Sequence, residues 1–157
     1  MGLEAIDTFL VGAVYLFAIF VLFFVGKKIY DWRHPTFDLR QELFERDIPA
    51  LAVAVVGYYL GLVFALGGVL QGPSRGLVND LIDLGIYGAM ALVLLHIADW
   101  LSGRFLFRGV DLDAEIVRDG NLGAGALEAG SHVANGLVIA GVMTGSGGPE
   151  TAVAFWV

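Results

Sequence analysis

The sequence predicts an all-α integral membrane protein: a four-helix bundle built from two tandem, parallel two-helix repeats, with both termini outside. Three observations predict it. The 157-residue chain is 57% hydrophobic and only 16% charged, with a mean hydropathy of +0.76, too apolar for the surface of a soluble domain. Four segments reach the roughly 20 apolar residues that a helix needs to cross a bilayer. One half of the chain also aligns without gaps on the other, at an offset of 73 residues.

The first span is Ile6–Gly26, IDTFLVGAVYLFAIFVLFFVG. It does not read as a signal peptide. No Lys or Arg precedes it, Glu4 and Asp7 lie at its start, and no small-residue cleavage motif follows. The second span is Pro49–Leu70, the third Leu81–Leu101 and the fourth Leu122–Met143. The whole chain, 1–157, is one membrane domain. Its first repeat unit covers about 6–72 and its second about 79–145, and 146–157 form an outer tail too short to span again. GSGG at 145–148 lacks the Lys and Ser or Thr of a phosphate-binding loop and reads as the exit from span four.

Charge placement sets the orientation. Lys27, Lys28, Arg33, Arg40 and Arg46 lie between spans one and two, and Arg104, Arg108 and Arg118 between spans three and four. Only Arg75 lies in the remaining connector. The positive-inside rule puts both long connectors in the cytoplasm. Trp32, Trp100 and Trp156 fall near the expected interfaces. With so few bases in a chain of net charge −7, a nucleic-acid partner is excluded. The absence of cysteine excludes disulfides, thiol catalysis and thiolate metal sites.

The internal match pairs Asp38 with Asp111, Leu39 with Leu112, Glu42 with Glu115, Gly57 with Gly130, Gly68 with Gly141 and Gly72 with Gly145. Each unit is a helix, a charged elbow and a second helix. Two helices per unit return the chain to its starting side, so the units are parallel. In the elbows, Thr36 or Asp38 can cap a short helix with Phe37, Leu39, Leu43 and Phe44 on its apolar side. The paired acids Asp38, Glu42, Asp111 and Glu115 suit a solvated bend or a docking surface for a cytoplasmic partner.

FDLRQELFERDIPALAVAVVGYYLG, followed by VDLDAEIVRDGNLGAGALEAG, resembles the domain of unknown function 350 family, the YjfL-like bacterial inner-membrane proteins. The shared pattern is the DL…E element, the charged turn and the small-residue helix with a central Gly. The resemblance covers roughly Thr8–Met143. It implies four spans in two tandem units in a bacterial inner membrane, and it implies no activity.

Span four carries the chemistry. Glu128, His132 and Asn135 share one helix face. At about 1.5 Å per residue, His132 lies about 15 Å beyond Leu122, near mid-bilayer. A charge there costs at least about 2.5–3.5 kcal/mol, so the acid must face protein or water, gain His132 as a cationic partner, or lose its charge. The equivalent residues of unit one are Val55, Tyr59 and Leu62, which places Tyr59 opposite His132 across the axis. His96, one turn from Asp99, is a further candidate.

Three readings of this line stay open: interhelical hydrogen bonding that locks the packing, a proton or cation path, and a metal or haem site on His132 and His96. No spacing fixes the geometry of the last, so neither a metal nor another cofactor is expected. No nucleophile has a base at catalytic spacing, so the chain reads as non-enzymatic. The function expected first is a membrane subunit or scaffold that forms homo-oligomers or docks membrane or cytoplasmic partners. Gly57, Gly61, Gly67, Gly68, Gly123, Gly125 and Gly130 exceed what one four-helix core requires. The alternative is a proton or cation channel or transporter through Glu128, His132 and Asn135.

Overall fold

The computed structural model describes residues 2–35, 37–71, 74–106 and 108–144. Thr36, Gly72, the 145–157 tail and its Trp156 lie outside them. The described residues form helices joined by turns, with no strand among them. Four of the helices are long and apolar enough to cross a membrane.

Helix α1, Gly2–Arg33, runs seven residues past the expected end of span one. Lys27 and Lys28 therefore sit on the helix, not in the connector. Lys27 pairs with Asp31 one turn on at 2.6 Å, and Lys28 lies over the Phe24 ring, so the charged last turns stay helical. Helix α2, Leu39–Phe44, is the short elbow helix. Helix α3, Pro49–Val69, starts on a proline, whose missing N–H costs nothing there. Helix α4, Leu77–Leu101, begins four residues before the expected third span and continues into a π-helical turn, Ser102–Leu106. A second π-helical turn, Ala114–Arg118, forms the other elbow. Helix α5, Leu122–Met143, is capped by Asn121, whose side chain accepts from the Gly123 and Ala124 N–H groups.

The two elbows make the same backbone bonds at positions 73 apart. Ile48 N–H donates to the Glu42 carbonyl, and Asn121 N–H to that of Glu115. Arg46 N–H donates to Gln41, and Asp119 N–H to Ala114. Asp47 and Gly120 share a left-handed conformation, with φ of 52° and 63°.

The core of the molecule is the α3–α5 pair. A Cβ on Gly57 would lie 2.2 Å from Ala129 Cα, one on Gly68 2.6 Å from Ala140 Cα, and one on Gly125 2.2 Å from the Ala50 carbonyl oxygen. These pairs advance together along both helices, so α3 and α5 run parallel. Lipid gives apolar side chains no reason to prefer each other, and close backbone approach supplies the attraction. Helix α4 packs on α3, α5 and α1, and α1 lies mainly against α4. Tyr15 with Asp80, Leu22 with Gly88 and Arg33 with Asp99 set α1 parallel to α4. Most of α1 remains uncovered by protein, with Phe9 74% and Phe17 72% exposed.

Candidate functional site

The last turns of α1 and α4 and the first half of α5 meet beneath the elbows. They enclose an open polar vestibule of about 400 Å³, lined by Arg33, His34, Asp99, Asp113, Glu128 and Ser131 among others. Glu128 is 8% and His132 2% exposed, so the acid and the imidazole are buried as a pair. His132 Nε2 lies 3.5 Å from Glu128 Oε1 and 3.7 Å from Asp99 Oδ1. Neither ring nitrogen of His132 has a hydrogen-bond partner among the described residues. An orphaned buried imidazole between two carboxylates is costly as a packing device.

Asp99 has a second partner. Its Oδ2 takes the Arg33 guanidinium at 2.6 Å, and the same Arg33 nitrogen donates to the His96 carbonyl at 3.1 Å. The acid thus bridges a fixed cation and an imidazole. His96 donates from Nδ1 to the Leu92 carbonyl at 2.7 Å, since a carbonyl only accepts. This leaves Nε2 facing the Tyr58 hydroxyl at 3.5 Å. That hydroxyl gives its proton to the Gly26 carbonyl at 2.8 Å. The Tyr58 ring meets both imidazoles edge-on, at centroid distances of 5.3 Å to His132 and 5.8 Å to His96.

His34 sits at the mouth. Its Nδ1–H bonds the Tyr30 carbonyl at 2.9 Å, and its Nε2 lies 3.7 Å from Asp113 Oδ1. Burial pushes the Asp113 carboxyl above the ordinary carboxylate value; His34 opposes the shift, and Glu128, Asp111 and Asp99 add to it.

The expected line is therefore joined in part. Glu128, His132 and His96 converge. Asn135 shares their face of α5, yet its Nδ2 is buried without a partner among the described residues. Tyr59 does not face His132: it stacks on Phe23 at 6.3 Å, and Tyr58 takes the place assigned to it. One residue is a rotation of about 100° on an α-helix, so the internal alignment finds the right turn of α3 and the wrong face. The Arg33, His34 and Asp113 contributions were not expected. The signal was present only as the chain's three histidines, each within a turn or so of a base or an acid.

The elbow acids are engaged locally. Asp38 caps α2 by accepting from the Arg40 and Gln41 N–H groups. Asp111 accepts from Ala114 N–H. Glu42 pairs with Arg46, and Glu115 accepts from the Asn121 amide. Phe37, Leu39 and Leu43 pack against the core, whereas Phe44 is 81% exposed.

Among the described residues no cluster of three or more His, Asp or Glu side chains is arranged to hold a metal ion. Past Asn135 the α3–α5 seam continues, with a Cβ on Gly136 only 2.2 Å from the Gly61 carbonyl oxygen, and no polar side chain follows on this face of α5 before Thr144. Leu62, Leu66 and Ile139 are buried alongside. The polar region thus opens toward the elbows and is sealed below.

Comparison with curated proteins and with solved structures gave no match. The family profile described as Domain of Unknown Function (DUF350) matches residues 4–143. That span takes in every long helix, both elbows and the buried Glu128–His132 pair, and the chain belongs to the domain of unknown function 350 family.

Proposed function

We propose that this is a non-enzymatic, multi-pass protein of the bacterial inner membrane that transports protons or small cations through the Glu128–His132 centre, with both elbows in the cytoplasm. The sidedness rests on the Lys and Arg distribution. The observation that carries the reading is His132 Nε2, unbonded and buried, 3.5 Å from Glu128 and 3.7 Å from Asp99, the two carboxylates that line the polar vestibule. A proton arriving from the vestibule makes both ring nitrogens donors. Either carboxylate then needs to move by less than about 1 Å to close a charge-assisted bond. Histidine changes charge in the physiological range, and an intramembrane acid–imidazole pair is a natural relay. The sealed α3–α5 seam below means that release on the far side requires a second conformation.

The scaffold reading has weaker support. Of the glycines that motivated it, Gly57, Gly61, Gly68 and Gly125 are already closed against the partner helix within one chain. Gly67 and Gly130 remain open and could serve a homo-oligomer or another membrane subunit.

The test is proton flux in proteoliposomes loaded with a pH-sensitive dye and given an acid jump. Wild-type protein should acidify the lumen faster than empty liposomes do, and Glu128→Gln or His132→Gln should bring the rate to the empty-liposome value. Equal rates for wild type and Glu128→Gln would remove the transport reading.

A further inference from the structure

Outside the vestibule, α1 and α4 leave an apolar groove of about 350 Å³ on the surface that a bilayer would cover. Ile29 and Trp32 on α1 face Leu92, Val93 and Trp100 on α4 across it, and Arg33 closes its elbow end. The size and lining suit a ligand that is mostly apolar with one polar anchor. Trp32 is 79% and Trp100 58% exposed, so two indoles flank the groove without protein cover. Tryptophan prefers the depth where acyl chains meet headgroups.

Among the described residues, Arg33 is the groove's one permanent cation, and it is shared with Asp99. Its bonds to Asp99 and to the His96 carbonyl both use Nη1. Nη2 and Nε have no hydrogen-bond partner among the described residues, and the side chain keeps 27% of its exposure. A guanidinium with N–H groups left over from its ion pair, at the end of an apolar trough, matches a phosphate oxygen attached to an acyl chain.

We infer that this groove seats one anionic phospholipid, with an acyl chain between Trp32 and Trp100 and the phosphate on Arg33. A zwitterionic choline lipid fits less well, because its own cation competes for the phosphate that Arg33 would hold. The site is separate from the proton centre but touches it: Arg33 and Trp100 line both the groove and the vestibule. A phosphate drawn to Arg33 would weaken its hold on Asp99 and turn that carboxylate toward His132.

Brominated lipids test this, because they quench tryptophan on contact. In a Trp156→Phe background, emission reports Trp32 and Trp100 alone. Dibromo-phosphatidylglycerol titrated into phosphatidylcholine vesicles should reach half-quenching at an about fivefold lower mole fraction than dibromo-phosphatidylcholine. Arg33→Gln should merge the two curves, and Arg33→Lys should keep part of the gap. Superimposed curves for the Arg33-intact protein would overturn the inference, whatever the variants do. So would emission that neither lipid quenches, which would place a protein surface over the groove. The readout does not depend on proton flux, so it stands or falls apart from the transport reading.

Discussion

Gly61 and Gly136 meet backbone to backbone: a Cβ on Gly136 would lie 2.2 Å from the Gly61 carbonyl oxygen and 2.6 Å from its Cα. Backbone cannot rotate aside as a side chain can, so an added methyl must push the helices apart. Gly136→Ala should cost at least about 1–3 kcal/mol. Gly130→Ala, with nothing within 4 Å of its added Cβ, should be neutral. Thermal melting in mild detergent distinguishes them, and equal midpoints for the two variants would refute the seam.

The Arg33–Asp99 pair joins α1 to α4 with 27% and 20% of the two side chains exposed. Arg33→Gln and Asp99→Asn should each destabilise by about 1–3 kcal/mol, below the loss for a fully buried pair. The double variant should cost less than the sum of the two, since the charge left behind by each single change is gone. Strict additivity in denaturation midpoints would mean that the pair does not form.

Asp47 and Gly120 hold the same left-handed turn with different side chains. Gly120→Ala should cost about 1 kcal/mol, because its Cβ meets the following carbonyl at positive φ. Asp47→Gly should change little, the relief of strain being offset by a more flexible unfolded chain. A Gly120→Ala variant as stable as wild type would contradict the turn geometry.

Asp113 supplies a pH dependence. Burial raises its carboxyl above the usual value in the folded protein, so the native state holds the proton more tightly than the unfolded chain does. Its favourable share of stability is present below the ordinary carboxylate range and is lost as pH rises through the raised value. Asp113→Asn should therefore melt higher than wild type near neutral pH, and the gap should close in acid. With 41% of the side chain still in solvent, the gap should be small. A gap that widens as pH falls would reverse the assigned sign.

The spans were legible because lipid imposes a length and a composition that ordinary folding does not. Span four matched to the residue because Asn121 caps it and Thr144 ends it. Span one was cut short at Lys27, since the pairing of Lys27 with Asp31 that keeps the helix going carries no hydropathy signal. The Glu128–His132 pair was legible from spacing along one helix. Of its surroundings, His96 beside Asp99 was also legible, but Arg33 and Tyr58 were not, because they reach the pair from other helices. Helix rotation, which decides between Tyr58 and Tyr59, is set by the small residues of the seam, Gly57, Gly61 and Gly68 on α3, whose spacing carries no hydropathy signal.

Polar contacts fasten helix α1 to the others from its middle to its end: Tyr15 to Asp80, the Gly26 carbonyl to Tyr58 further along, and Arg33 to Asp99 at the last residue. Between these rivets almost any greasy side chain would serve, because oil on one residue is as good as oil on the next. Descendants of this chain can therefore rewrite Phe17 and Phe20 freely, while a single lost rivet would leave the outermost helix swinging.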